Sequence, residues 1–149
     1  MALKEKLWLI ALVAGVLSFI GFVTPFISWT IMGITMSIWS FGLVTITPDP
    51  GVPIPFAEGI VIAGVLIIIS AILIIGAGVL AKKRENLKLP GAICVVGAIL
   101  GLIGVFVPLV DAEISLMLTI GATLSVGFYL PLFGSIIGII AGALAVFAK

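Results

Sequence analysis

Four long apolar runs carry no charged residue: Leu7–Phe26, Gly59–Ala81, Gly91–Val110 and Phe128–Ala148. Each holds about the 20 helical residues that cross a hydrocarbon core of roughly 30 Å. Each is therefore predicted to be a membrane-spanning helix. Ser18, Thr24, Ser70, Cys94 and Ser135 supply nearly all their polar atoms. The first run is too long for a secretory h-region and ends in Thr24-Pro25-Phe26 rather than a small-x-small site, so it reads as an uncleaved span.

A different period takes over between the first two runs. Ile27, Trp29 and Ile31 alternate with Ser28 and Thr30. After Gly33, Ile34, Met36 and Ile38 alternate with Thr35 and Ser37; after Gly42, Leu43 to Thr47 is rich in β-formers. Period-two alternation cut by glycines predicts short strands joined by turns. The proline-rich stretch Pro48 to Pro55 suits neither sheet nor helix and reads as a stiff return to the second span. In the loop after the third run, Ile114, Leu116, Leu118 and Ile120 alternate with Ser115, Met117 and Thr119. The same rule predicts a strand there, a turn at Gly121-Ala122 and a second short strand at Thr123–Val126. Two loops, 27–58 and 111–127, would thus supply four or five strands to one small antiparallel sheet, since three or more strands with a shared apolar face are needed for stability.

Residues 33–38 (GITMSI) are echoed by 121–126 (GATLSV), and each follows an Ile-Ser pair, Ile27-Ser28 and Ile114-Ser115. Two duplicated helix–sheet–helix halves and chance similarity among β-prone residues both account for this echo.

Charge sets the orientation. Lys4 and Lys6 precede the first run, Lys82, Lys83, Arg84 and Lys88 fill the gap after the second, and Lys149 is the last residue given. The other two loops carry Asp49, Glu58, Asp111 and Glu113 and no Lys or Arg. Short loops rich in Lys and Arg stay cytoplasmic. A multi-pass cell-membrane protein with both termini cytoplasmic and the strand-rich loops outside is predicted. Composition agrees: 63% of residues are apolar and 9% charged, against about 45–50% and about 25% in soluble domains.

Candidate chemistry is sparse. There is no histidine and one cysteine, Cys94, inside an apolar run, which excludes an internal disulfide and the commonest general base. The spans hold no ionisable group of the kind that couples transport. No cofactor is implied and no nucleic-acid partner; the chain reads as a non-enzyme. Gly97 and Gly101, and Gly134, Gly138 and Gly142, repeat at GxxxG spacing, which lets helix backbones approach closely. That closeness serves either packing within the chain or association between chains. Glu58, Asp111 and Glu113 read as solvated interface acids or as an outer cation-attracting cluster. Trp29 and Trp39 read as headgroup anchors or as outer-face contacts for a partner.

Pro25-Phe26-Ile27-Ser28-Trp29 just after the first run and Ser40-Phe41-Gly42-Leu43-Val44 about a dozen residues later resemble the claudin-like tetraspan superfamily, in a compact prokaryotic or archaeal form. Val44 stands where that family's Gly-Leu-Trp element has tryptophan, and the cysteine pair that normally follows is absent. The resemblance implies a membrane all-α fold with a small β part: a left-handed antiparallel four-helix transmembrane bundle topped by a small extracellular antiparallel sheet. The lipid bilayer is the first expected partner. A structural protein that self-associates or joins a larger membrane complex is the function expected; a channel or transport component with an acidic outer vestibule is the alternative.

Overall fold

The computed structural model describes residues 2–51, 60–83 and 85–147, with side chains from Lys6 onward. In chain order the elements are α1 (Ala2–Phe22), β1 (Pro25–Ile31), β2 (Ile34–Trp39), β3 (Val44–Thr47), α2 (Val61–Lys83), α3 (Lys88–Phe106), a 3₁₀ turn (Val107–Val110), α4 (Ala112–Thr119), β4 (Thr123–Leu124) and α5 (Val126–Phe147). Among the described residues the protein is mostly helical with one four-stranded antiparallel sheet, ordered β3-β2-β1-β4.

The four long helices close a ring in which α1 meets α2 and α5, and α3 meets α2 and α5. Neighbours run antiparallel. Trp8 near the start of α1 lies under the Lys82 ammonium at the end of α2, 4.8 Å from the ring centre. Gly91 at the start of α3 abuts Gly142 near the end of α5. Lys6, Lys82, Lys83 and Lys88 therefore share one end of the ring, and the sheet occupies the other. Among the described residues three helices are long and apolar enough to cross a membrane: Val61–Lys83, Lys88–Val110 and Val126–Phe147; residues 6–22 of α1 form a shorter apolar helix. This is compatible with a multi-pass membrane protein.

Boundaries differ from the sequence reading in instructive ways. The first helix ends at Phe22, not Phe26. Thr24 Oγ1 donates to the Gly21 carbonyl at 3.1 Å, and Pro25, with no N–H to give, opens β1 instead. α5 begins two residues before Phe128, where the apolar run starts, so Pro131 sits in the second turn of the helix. The ring of Pro131 is accommodated against Gly21 of α1, where any side chain would overlap it.

The larger correction concerns 112–119, which is helix α4 and not a strand. Asp111 caps it, accepting hydrogen bonds from the Glu113 N–H at 2.9 Å and the Ile114 N–H at 3.3 Å. Ile114, Met117 and Leu118, spaced i, i+3, i+4, turn toward the core. From this loop only Thr123–Leu124 joins the sheet, and Val126 already belongs to α5. The two echo segments lie on either side of β1, yet Ile27-Ser28 is strand and Ile114-Ser115 helix, so the elements preceding them differ.

Candidate functional site

The sheet has two chemically distinct faces. Its register stacks Trp29, Met36 and Ile46 in one row, Ile27, Ile38 and Val44 in the next, and Ile31 beside Ile34. The alternate rows are Ser28, Ser37 and Thr45, then Thr30, Thr35 and Thr47. Since side chains alternate across a strand, one face is apolar and the other a field of hydroxyls. Ile27 and Ile38 seat the apolar face on Ile60, Ala63 and Ile67 of the α2 end, Val105 of α3 and Phe128 of α5. A bulge between Pro25 and Ile27 lets the consecutive Phe26 and Ile27 both bury, which strict alternation forbids. Phe26 then meets Phe128 edge-on, with ring centres 5.5 Å apart.

On the hydroxyl face Ser28 is the hub. Its Oγ lies 3.0 Å from Ser125 Oγ and 3.4 Å from Ser37 Oγ, and Thr123 Oγ1 donates to the Ser28 carbonyl at 3.1 Å. Ser37 and Ser125 occupy matching places in the two echo segments, so one hydroxyl ties the two outer segments together. Nothing in the alternation alone singled out this serine.

Trp29 and Trp39 are not brought together. Trp29 lies on the apolar face, half-buried against the core and facing Met36; Trp39 lies on the hydroxyl face at the far end of β2, opposite Pro25. Trp29 does help to line an apolar concavity of about 250 Å³ with Ile31, Met32, Ile34, Met36 and Ile46. Met32 and Gly33 form the two-residue turn of the hairpin, with φ of 49° and 82°, as a type I′ turn requires.

The GxxxG glycines are consumed inside the ring. A Cβ at Gly97 would lie 2.8 Å from Leu73 Cβ of α2, at Gly138 3.1 Å from Ala98 Cβ of α3, and at Gly142 2.7 Å from the Gly91 carbonyl of α3. At Gly134 it would come within 2.5 Å of the Ala14 carbonyl and the Ser18 hydroxyl of α1. Small residues thus let α5 touch α1 at one height and α3 at another. Gly101 sits where α2, α3 and α5 converge, facing Ser70 and Ser135, whose buried hydroxyls have no hydrogen-bond partner. Cys94 is buried nearby in sequence on α3, its thiol donating to the Gly138 carbonyl at 3.2 Å. Toward the basic end the four helices leave an apolar void of only about 10 Å³.

Of the three acids, Asp111 is engaged as the α4 cap, Glu113 is exposed in its first turn, and Glu58 lies outside the described residues. Among the described residues no three His, Cys, Asp or Glu side chains gather as metal ligands. No protein-family model matches the chain, and no curated protein is significantly similar to it.

Proposed function

We propose that this chain is a non-enzymatic integral membrane protein of claudin-like tetraspan layout whose role is assembly, with copies of itself or with larger membrane subunits. In this reading α1, α2, α3 and α5 are four spans, the basic end and both termini face the cytoplasm, and the sheet lies outside. The observation that carries it is the inverted packing of the long helices. Their small residues are buried inward at Ala14, Ala63, Ala77, Ala98, Gly101 and Ser135, while Val16, Phe19, Ile69, Ile72, Ile99, Ile103, Phe133 and Ile140 are exposed. A ring whose outside is more bulky and apolar than its inside needs lipid or another apolar helix around it.

Assembly follows from what stays unpartnered at the sheet end. Among the described residues β3 is an edge strand with no charged side chain, and Leu116 of α4 and Ile120 just after it form an exposed apolar ridge. Uncharged edges pair readily with neighbouring chains. The claudin-like layout is supported by a long strand-bearing segment after the first helix and a shorter second segment whose strand joins the same small sheet. Native mass measurement after extraction in mild detergent tests the reading. Defined oligomers or a stable co-purifying subunit are expected; a strict monomer that purifies alone from its own membrane would overturn it.

A further inference from the structure

We infer that the apolar underside of the β1–β2 hairpin, around Met32, rests in the interfacial layer of the outer leaflet, with lipid as its partner. This inference rests on the membrane reading above and assigns an occupant to one surface of it.

The hairpin is fixed at one end and free at the other. At the fixed end Ser40 Oγ donates to the Phe22 carbonyl of α1 at 3.3 Å, Gly64 of α2 packs on the Ser40 carbonyl, and Phe41 meets Phe22 with ring centres 5.4 Å apart. At the free end Ile31, Met32 and Ile34 are exposed, Met32 by 98%. Strands rise about 3.3 Å per residue, so Ile31 lies roughly 13 Å beyond the seated Ile27. The exposed apolar row continues the face that sits on the helix ends, so it looks back along the helix flanks, toward the bilayer. β1 also leaves the bundle at the top of the exposed apolar surface of α1: Val23, half exposed, is two residues before Pro25.

Turn chemistry points the same way. A type I′ turn favours Asn, Asp or Gly at its first central position. Here that position holds a long apolar side chain at φ 49° with almost no protein contact. A local preference set aside in this manner marks a site used for something else.

The size and charge of the surface choose lipid over a second copy. The exposed apolar side chains at the free end are three, Ile31, Met32 and Ile34, far short of the roughly 20–30 residues a side that a stable protein interface engages. Residues 27–47 contain no charged side chain, so the contact is with the glycerol and upper acyl region and not with an anionic headgroup.

The test uses the full chain with Cys94→Ala, carrying a nitroxide label at Met32→Cys, at Ile34→Cys, or at Thr35→Cys on the opposite face, reconstituted at low protein-to-lipid ratio. Expected are high oxygen and low nickel-chelate collision rates at 32 and 34 and the reverse at 35, with the same values in zwitterionic and anionic vesicles. Labels at 32 and 34 that meet water as freely as the label at 35 would overturn the inference. So would protection that appears only at high protein density with dipolar broadening, which identifies a second copy. Resistance to carbonate extraction is measured on the same vesicles. An integral chain with a water-exposed hairpin refutes this inference alone, whereas an extractable chain refutes the membrane reading as well.

Discussion

Gly101 of α3 stands so close to Ser135 of α5 that a methyl group at position 101 would overlap the Ser135 hydroxyl, and Ser70 of α2 closes on the same point at 2.5 Å. Three helices therefore share one contact made possible by a missing side chain. Gly101→Ala is expected to lower stability by about 1–3 kcal/mol, the usual cost of overfilling a packed site. Gly76→Ala, with nothing within 4 Å of the added carbon, is the matched control. It should be neutral or gain up to about 1 kcal/mol from helix propensity. Thermal unfolding of both variants in the same detergent checks the contrast.

The two hydroxyls at that junction have no partner in the protein. A buried, unsatisfied hydroxyl costs about 1–3 kcal/mol. Ser70→Ala and Ser135→Ala are thus expected to leave stability unchanged or to raise it, unlike most buried substitutions. Combined with Gly101→Ala, the two serine replacements also remove the two hydroxyl oxygens that the new methyl would overlap, leaving only the position-70 Cβ in tight contact at 3.2 Å. The triple variant should recover most of the loss, and strict additivity of the separate effects would contradict the geometry.

How much of this was legible in sequence depends on which interaction decides each element. The long helices were, because an uninterrupted apolar run of that length leaves a chain few other conformations. So was the hairpin around Gly33, since strict alternation and a glycine agree there. The strand predicted over Ile114–Ile120 failed because alternation and helical spacing coexist in that stretch. Ile114, Leu116 and Leu118 fit period two, while Ile114, Met117 and Leu118 fit a helix. Asp111 at the cap position followed by Glu113 was the deciding signal. The early end of α1 is marked locally by Thr24 and Pro25, whereas the bulge lets Phe26 bury against Phe128, about a hundred residues away, which no local pattern carries. The glycine spacing foretold close approach but not partners. α5 spends Gly134 on α1 and Gly142 on α3, a division visible only once the ring is closed.

Asp111 offers a way to separate capping from cation attraction. Its carboxylate accepts from two backbone N–H groups at the start of α4. Asp111→Ala should cost about 1 kcal/mol and speed amide exchange across 112–119. Asparagine caps equally well, so Asp111→Asn should preserve that protection while removing the charge. If Asp111→Asn loosened α4 as much as alanine does, the negative charge and not the cap would be holding the loop.

Ser28 joins segments that lie far apart in the chain, and its replacement tests whether that link holds the sheet together. The hydroxyl meets Ser125 at 3.0 Å and Ser37 at 3.4 Å, so Ser28→Ala removes contacts on both sides of β1 at once. A typical hydrogen bond contributes about 0.5–1.5 kcal/mol net. β2 remains attached through a six-residue ladder and a tight turn, whereas β4 has only two paired residues. The loss should therefore be unequal. Amide protection around Thr123, Leu124 and Ser125 is expected to fall markedly while that of Ile34–Trp39 is retained. Equal loosening of both strands would mean that the sheet behaves as one unit and that the second outer segment is held by the seat of α4 on the helix ends rather than by this serine.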